Sequence, residues 1–138
     1  LKKQVKVVAA VIENEKNEIL CALRSTSMLI PNMWEFPGGK VEKGENLQEA
    51  LEREITEELR CEIKAHEIIN ENIHEYDSFI IQLVSLRAEL ISGIPIAIEH
   101  AKLIWLPREN LPSLLWAPAD IPAVEEIMKQ EHIPTEKG

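Results

Sequence analysis

The apolar positions of this chain fall into blocks of two different periods. Residues 5–13 are rich in Val, Ala and Ile, which predicts a buried strand. The polar turn Glu13-Asn14-Glu15-Lys16-Asn17 follows, and residues 18–24 read as the returning strand. Residues 25–33 are a loop. Trp34-Glu35-Phe36 alternates, and Pro37-Gly38-Gly39 is expected to break any regular element. The period then changes. Leu47, Leu51, Ile55 and Leu59 recur every fourth residue and predict a helix over 46–59, with Asn46 as its cap and Glu49 completing a capping box. Residues 62–73 and 78–90 read as long strands joined by the turn Glu75-Tyr76-Asp77. A short strand at 103–106 and a second helix over 120–130 follow, the latter capped by Asp120 with Pro122 in its first turn. Residues 131–138 read as a flexible tail. Strands and helices in this order predict an α/β or α+β domain, helices packed on a mixed sheet, spanning residues 1–130.

Composition narrows what such a domain does. A length of 138 residues suits one domain, and 45% hydrophobic content is enough for a core. The net charge of −9 argues against polymeric nucleic acid as a partner, because counterion release offers little to a chain without a basic patch. It also makes bare polyphosphate an unwelcome ligand unless divalent cations neutralise it. No apolar run approaches a membrane span, and residues 1–6 have no signal-like apolar stretch, so the expected location is the cytoplasm, away from membranes. Cys21 and Cys61 lack metal-ligand spacing and read as reduced, buried side chains.

The chemistry concentrates in the first helix. Glu54, Glu57 and Glu58, spaced i, i+3, i+4, share one helix face beside the apolar stripe. Three carboxylates so close repel unless cations screen them. With no His or Cys among them they suit Mg²⁺, or Mn²⁺ in its place, rather than zinc. An acidic helix is more often a solvated face, but here Gly38-Gly39 and Gly44-Glu45 lie just upstream, where a bare backbone lets phosphate approach. Arg53 stands inside the acidic stretch, placed to hold carboxylates by bidentate bonds.

Gly39, Glu45 and the run Arg53-Glu54-Ile55-Thr56-Glu57-Glu58-Leu59-Arg60-Cys61 resemble the signature of the Nudix hydrolase family. One position departs: Arg60 stands where the family has glycine, which puts the helix-ending turn under question. Trp34-Glu35-Phe36-Pro37-Gly38-Gly39-Lys40, Glu99-His100 with Trp105, and Ala117–Pro122 are similar to segments of its MutT-like and CTP-type triphosphate pyrophosphohydrolases.

The resemblance implies a Nudix-type α/β/α sandwich and Mg²⁺-dependent hydrolysis of a nucleoside triphosphate to NMP and pyrophosphate, in cleansing of the nucleotide pool. A dinucleoside polyphosphate or ADP-ribose substrate (Tyr76 lies where some such enzymes carry a tyrosine) and a non-catalytic nucleotide sensor are the alternatives. It implies Glu54, Glu57, Glu58 and Arg53 as the catalytic set. Gly38, Glu99 and the three glutamates would hold metal, with Gly39 and Glu45 structural. Arg24 and Asp120 would bind substrate. An ionised Asp120, accepting from an exocyclic amino group, would favour cytosine, with oxidised guanine next. His100 receives no role, and Trp116 is expected to pack rather than stack on a base.

Overall fold

The computed structural model describes residues 1–130. The expected tail at 131–138 lies outside the described residues. Seven strands and two helices occur in the order β1 (Lys3–Glu13), β2 (Glu18–Leu23), β3 (Trp34–Glu35), β4 (Gly38–Lys40), α1 (Leu47–Leu59), β5 (Glu62–Glu75), β6 (Phe79–Ser92), β7 (Lys102–Pro107) and α2 (Ile121–Lys129).

All seven strands join one mixed sheet with the path β3-β2-β1-β6-β5; β4 attaches to β1, and β7 to β2. The central pair, β1 and β6, is parallel and in register from Lys3–Phe79 to Glu13–Glu89. The other pairings are antiparallel. Asn14 shapes the β1–β2 turn: its Oδ1 accepts the N–H groups of Lys16 and Glu18, both at 2.9 Å.

The unbroken apolar run of β1 is explained by its two buried faces. Val8, Ala10 and Ile12 join Leu51, Ile55 and Leu59 of α1 in one core layer. Ala9 and Val11, pointing the other way, meet Phe36, Trp116 and the α2 residues Ala123, Val124 and Ile127. The result is the expected α/β/α sandwich.

The capping box of α1 forms with both arms: Asn46 Oδ1 accepts the Glu49 N–H at 2.8 Å, and Glu49 Oε1 accepts the Asn46 N–H at 3.1 Å. At the other end Arg60 adopts φ 55°, ψ 34°, the left-handed conformation that suits glycine. Arg60→Gly is therefore expected to raise stability by roughly 0.5–1 kcal/mol net of the added freedom of the unfolded chain. A urea midpoint that does not rise would refute that strain.

Two expectations need correction. Pro37-Gly38-Gly39 does not break the sheet, because Gly38–Lys40 is a strand paired with Val7, Val8 and Ala9. A Cβ at Gly38 would lie 1.9 Å from the Val8 carbonyl oxygen, so glycine is what permits β4 to sit so close. Asp120 also departs from expectation. It ends a short 3₁₀ turn, Pro118–Asp120, and occupies the N-cap position of α2, but its side chain makes no capping bond. That carboxylate is drawn inward to the Phe36 N–H instead. Among the described residues no helix is long and apolar enough to cross a membrane.

Candidate active site

Helix α1 runs beside β4, and Glu54, Glu57 and Glu58 occupy its outer edge. Glu54 and Glu58 are half-buried and Glu57 is exposed. Gly39 of β4 abuts Glu54 so closely that a Cβ there would lie 2.2 Å from the Glu54 carboxyl carbon. Arg53 holds the face in shape. Its Nε and Nη2 donate to the two oxygens of Glu45 at 2.6 and 2.9 Å. Nη1 donates to Glu54 at 3.0 Å and to Glu57 at 3.3 Å, and Nη2 also reaches the Lys40 carbonyl at 3.1 Å. The forked guanidinium thus ties the loop after β4 to the helix, a geometry lysine does not offer. Hydrogen bonding from Arg53 holds the Glu45 carboxyl down to about 2.

Glu58 is in the opposite situation. Burial, then the charges of Glu54 and Glu99, push its carboxyl up to about 7. Glu99, exposed in the loop before β7, is thereby drawn to the same locality although it lies far along the chain. Among the described residues no three acidic, His or Cys side chains close into a ready cage; Arg53 stands between Glu54 and Glu57. The donor set still fits a hard divalent cation. It consists of carboxylate oxygens, and the crowding that raises Glu58 is what a cation would relieve. Gly38, on the same strand as Gly39, borders the site.

Next to this face opens a cleft of about 560 Å³, a size suited to a nucleotide. Its walls are largely apolar, with Val7, Phe36, Phe79 and Leu83 among them, and its polar groups include Arg24, Glu35 and Asp120. Asp120 is buried, and its Oδ2 accepts the Phe36 N–H at 3.1 Å. Burial first, and the Glu35 charge second, push its carboxyl well above the usual range. Its surroundings thus disfavour the expected ionised, acceptor-only Asp120 and shift it toward the neutral acid, which donates as well as accepts.

Because the folded-state pKa is raised, Asp120 contributes stability that is fully present below its unfolded pKa and is lost as pH rises through the folded value. Asp120→Asn keeps an acceptor for Phe36 and abolishes the titration. The variant is expected to be more stable than the parent at pH 8, by about 1–2 kcal/mol, with the two converging near about pH 4. Urea melts at both pH values read this, and parallel curves at every pH would remove Asp120 as a titrating group.

Arg24 lines the cleft but is not free. Its Nη1 donates to Glu35 Oε1 at 2.6 Å, its Nε to the carbonyls of Leu29 and Ile30 at 2.9 Å, and Nη2 also meets the Leu29 carbonyl. Two residues given no part by the sequence join this network. Glu35 Oε2 lies 2.8 Å from His100 Nε2, and His100 is buried with its Nδ1 unpartnered among the described residues. An apolar–acidic alternation around Glu35 gave no hint of a partner 65 positions away.

Trp116 packs as expected, tilted against Phe36 at a centroid separation of 4.7 Å, its Nε1 donating to the Leu111 carbonyl. The Tyr76 hydroxyl accepts the Ala119 N–H at 3.0 Å and so braces the turn that carries Asp120. Cys21 and Cys61 are free and buried.

The α/β/α domain thus sets a carboxylate-lined helix edge, clamped by arginine against a two-glycine strand, beside a nucleotide-sized cleft. The chain belongs to the Nudix domain family, whose model matches residues 3–127. It is 38% identical over 126 residues to a CTP pyrophosphohydrolase of Escherichia coli (strain K12), covering 91% of this chain and 93% of that one. It is 28% identical over 127 residues to the 8-oxo-dGTP diphosphatase of the same organism, covering 92% and 98%. Among solved structures it is similar to the MutT protein (family Nudix hydrolase) of methicillin-resistant Staphylococcus aureus 252. That match has 46% identity and a TM-score of 0.77, over 95% of this chain and 100% of the other.

Proposed function

We propose that residues 1–130 act as one Nudix domain that hydrolyses a nucleoside triphosphate to the monophosphate and pyrophosphate with Mg²⁺, Mn²⁺ serving in its place. The observation that carries this reading is the shared edge of Glu54, Glu57 and Glu58 beside the Gly38–Gly39 strand, next to a cleft with room for a base and sugar. Glu54, Glu57, Glu58 and Glu99 would hold the cation with the Gly38 carbonyl, and bound there it would neutralise the phosphates and lower the pKa of water. Glu54, held by Arg53 and close against Gly39, is the group for orienting the water that attacks phosphorus. Arg53 and Glu45 fix the helix edge, while Arg24 faces the substrate from the cleft wall.

Base choice falls to Asp120. The Phe36 N–H donates to Oδ2, so the proton of the neutral acid belongs on Oδ1. That fixes one order of donor and acceptor. Cytosine and uracil present opposite orders on the matching edge, so one fixed carboxyl tells them apart. The similarity to a CTP pyrophosphohydrolase supports cytosine, and oxidised guanine follows. The buried free cysteines suit a reducing compartment, in keeping with a cytoplasmic nucleotide pool.

A panel of ribo- and deoxynucleoside triphosphates, 8-oxo-dGTP, diadenosine polyphosphate and ADP-ribose, read for pyrophosphate and phosphate, tests this. Pyrophosphate and monophosphate in equal amounts are expected from a triphosphate. The activity should vanish with EDTA and return with Mg²⁺ or Mn²⁺. Full turnover without divalent ions, or cleavage of the dinucleotide alone, would overturn the assignment.

A further inference from the structure

Glu35 is the meeting point of two loops, the one between β2 and β3 and the one before β7. Its β3 position, paired with Ala22 of β2, points the side chain into a part-buried space where both carboxylate oxygens are taken. Oε1 receives Arg24, whose guanidinium also gathers the carbonyls of Leu29 and Ile30 in the loop between β2 and β3. Met28 and Leu29 of that loop line the cleft. Oε2 is held to His100 Nε2, and His100 is preceded directly by Glu99, whose charge bears on Glu58. The Ala101 N–H donates to the Leu23 carbonyl at 2.9 Å, so the chain after His100 is pinned on the strand that leads to Arg24.

His100 is 6% exposed, and its second ring nitrogen has no hydrogen-bond partner among the described residues. A buried imidazole with an orphaned nitrogen is unfavourable as mere packing. Its one polar contact, with Glu35, is therefore what the position retains. The charge of Glu35 is also felt at both ends of the site, by Glu58 on the helix edge and by Asp120 in the cleft.

Building on the proposed reaction, we infer that Glu35 is a positioning residue whose two oxygens anchor the substrate-side loop through Arg24 and the metal-side Glu99 through His100. The two arms separate in their effects. The Arg24 arm orders the cleft wall and governs how substrate is seated. The His100 arm sets where the main chain delivers Glu99 and governs how tightly the cation is held, as partners of metal ligands do.

The test uses the full chain and Mn²⁺ as probe, with binding followed by electron paramagnetic resonance and KM measured at saturating Mg²⁺. His100→Leu removes only the Oε2 arm without changing a carboxylate. It is expected to weaken Mn²⁺ binding about tenfold while KM moves less than about twofold. His100→Gln, whose amide can donate to the same oxygen, should recover most of that loss. Glu35→Gln should weaken Mn²⁺ binding and raise KM together. Wild-type Mn²⁺ affinity in His100→Leu overturns the inference, as does the same loss in His100→Gln. If His100→Leu does not fold, His100→Gln and Glu35→Gln decide: near-wild-type Mn²⁺ binding in the first with both losses in the second sustains the anchor, and any other pattern overturns it. Should the wild type hydrolyse no triphosphate, the proposed reaction falls, while the Mn²⁺ titrations still decide the metal-side arm.

Discussion

Glu58→Gln is expected to slow turnover roughly 10²–10³-fold while making the metal-free protein more stable at alkaline pH. The two effects have one cause. Glu58 is half-buried beside Glu54 and Glu99, and its folded pKa is raised to about 7 from 4.5. A raised carboxyl gives stability that is complete below about pH 4.5 and drains away as pH passes 7. Glutamine never acquires the charge. The variant should therefore exceed the wild type by about 1–2 kcal/mol at pH 8.5 in EDTA, allowing for solvent screening of the half-exposed carboxylate, and match it at pH 4. Added Mg²⁺ should stabilise the wild type more than the variant, since only the former regains its charge balance. Denaturation curves with and without Mg²⁺, together with kcat, read the whole pattern. An unchanged kcat would remove Glu58 from the machinery, and equal stabilities at pH 8.5 would remove the crowding.

Adjacent glycines should fail in different ways. Alanine at 38 places its Cβ 1.9 Å from the Val8 carbonyl oxygen and 2.8 Å from the Ala9 Cα, both main-chain atoms of the central strand. Neither can yield without parting β4 from β1, so Gly38→Ala should lose about 2–4 kcal/mol of stability, with activity falling as the folded fraction falls. Alanine at 39 instead meets the Glu54 side chain, at 2.2 Å from its carboxyl carbon and Oε1. A side chain can swing away. Gly39→Ala should keep stability within about 1 kcal/mol of wild type but lose at least about 10²-fold in kcat, because Glu54 is displaced. Melting temperature and kcat measured on both variants make the comparison. A Gly39→Ala enzyme with normal kcat would mean that the position of Glu54 is immaterial.

What the sequence disclosed was mostly local. The four-residue spacing of Leu47, Leu51, Ile55 and Leu59 and the Asn46–Glu49 cap are contacts within one helix, and each is present. The two-sided burial of residues 8–12 follows from their composition alone. Readings failed where a distant partner outweighed local preference. Glycine marks a break only until a neighbouring main chain needs its missing Cβ, as β1 does at Gly38. Asp120 has the residue type and position of a cap, but the Phe36 N–H, 84 positions away, holds its carboxylate. Arg24 was legible as a residue facing the cleft, not as one engaged by Glu35. His100 lay in a segment of family resemblance but carried no signal of a partner; only the fold brings it to Glu35.

The parallel ladder between β1 and β6 also governs when this protein can acquire its shape. The eleven residues of β1 have their partners between Phe79 and Glu89, with α1 and β5 in between. An emerging polypeptide therefore pairs β1 with β2 and β4 on one side but leaves its other edge open until residues 79–89 have been made. The β5–β6 hairpin, closed by neighbouring residues, is free to form first and offer the edge on which β1 docks. Folding is thus gated by closure of one long loop, slow by comparison with a helical bundle of equal size, and a chain released before Phe79 lacks the parallel ladder at the middle of its sheet.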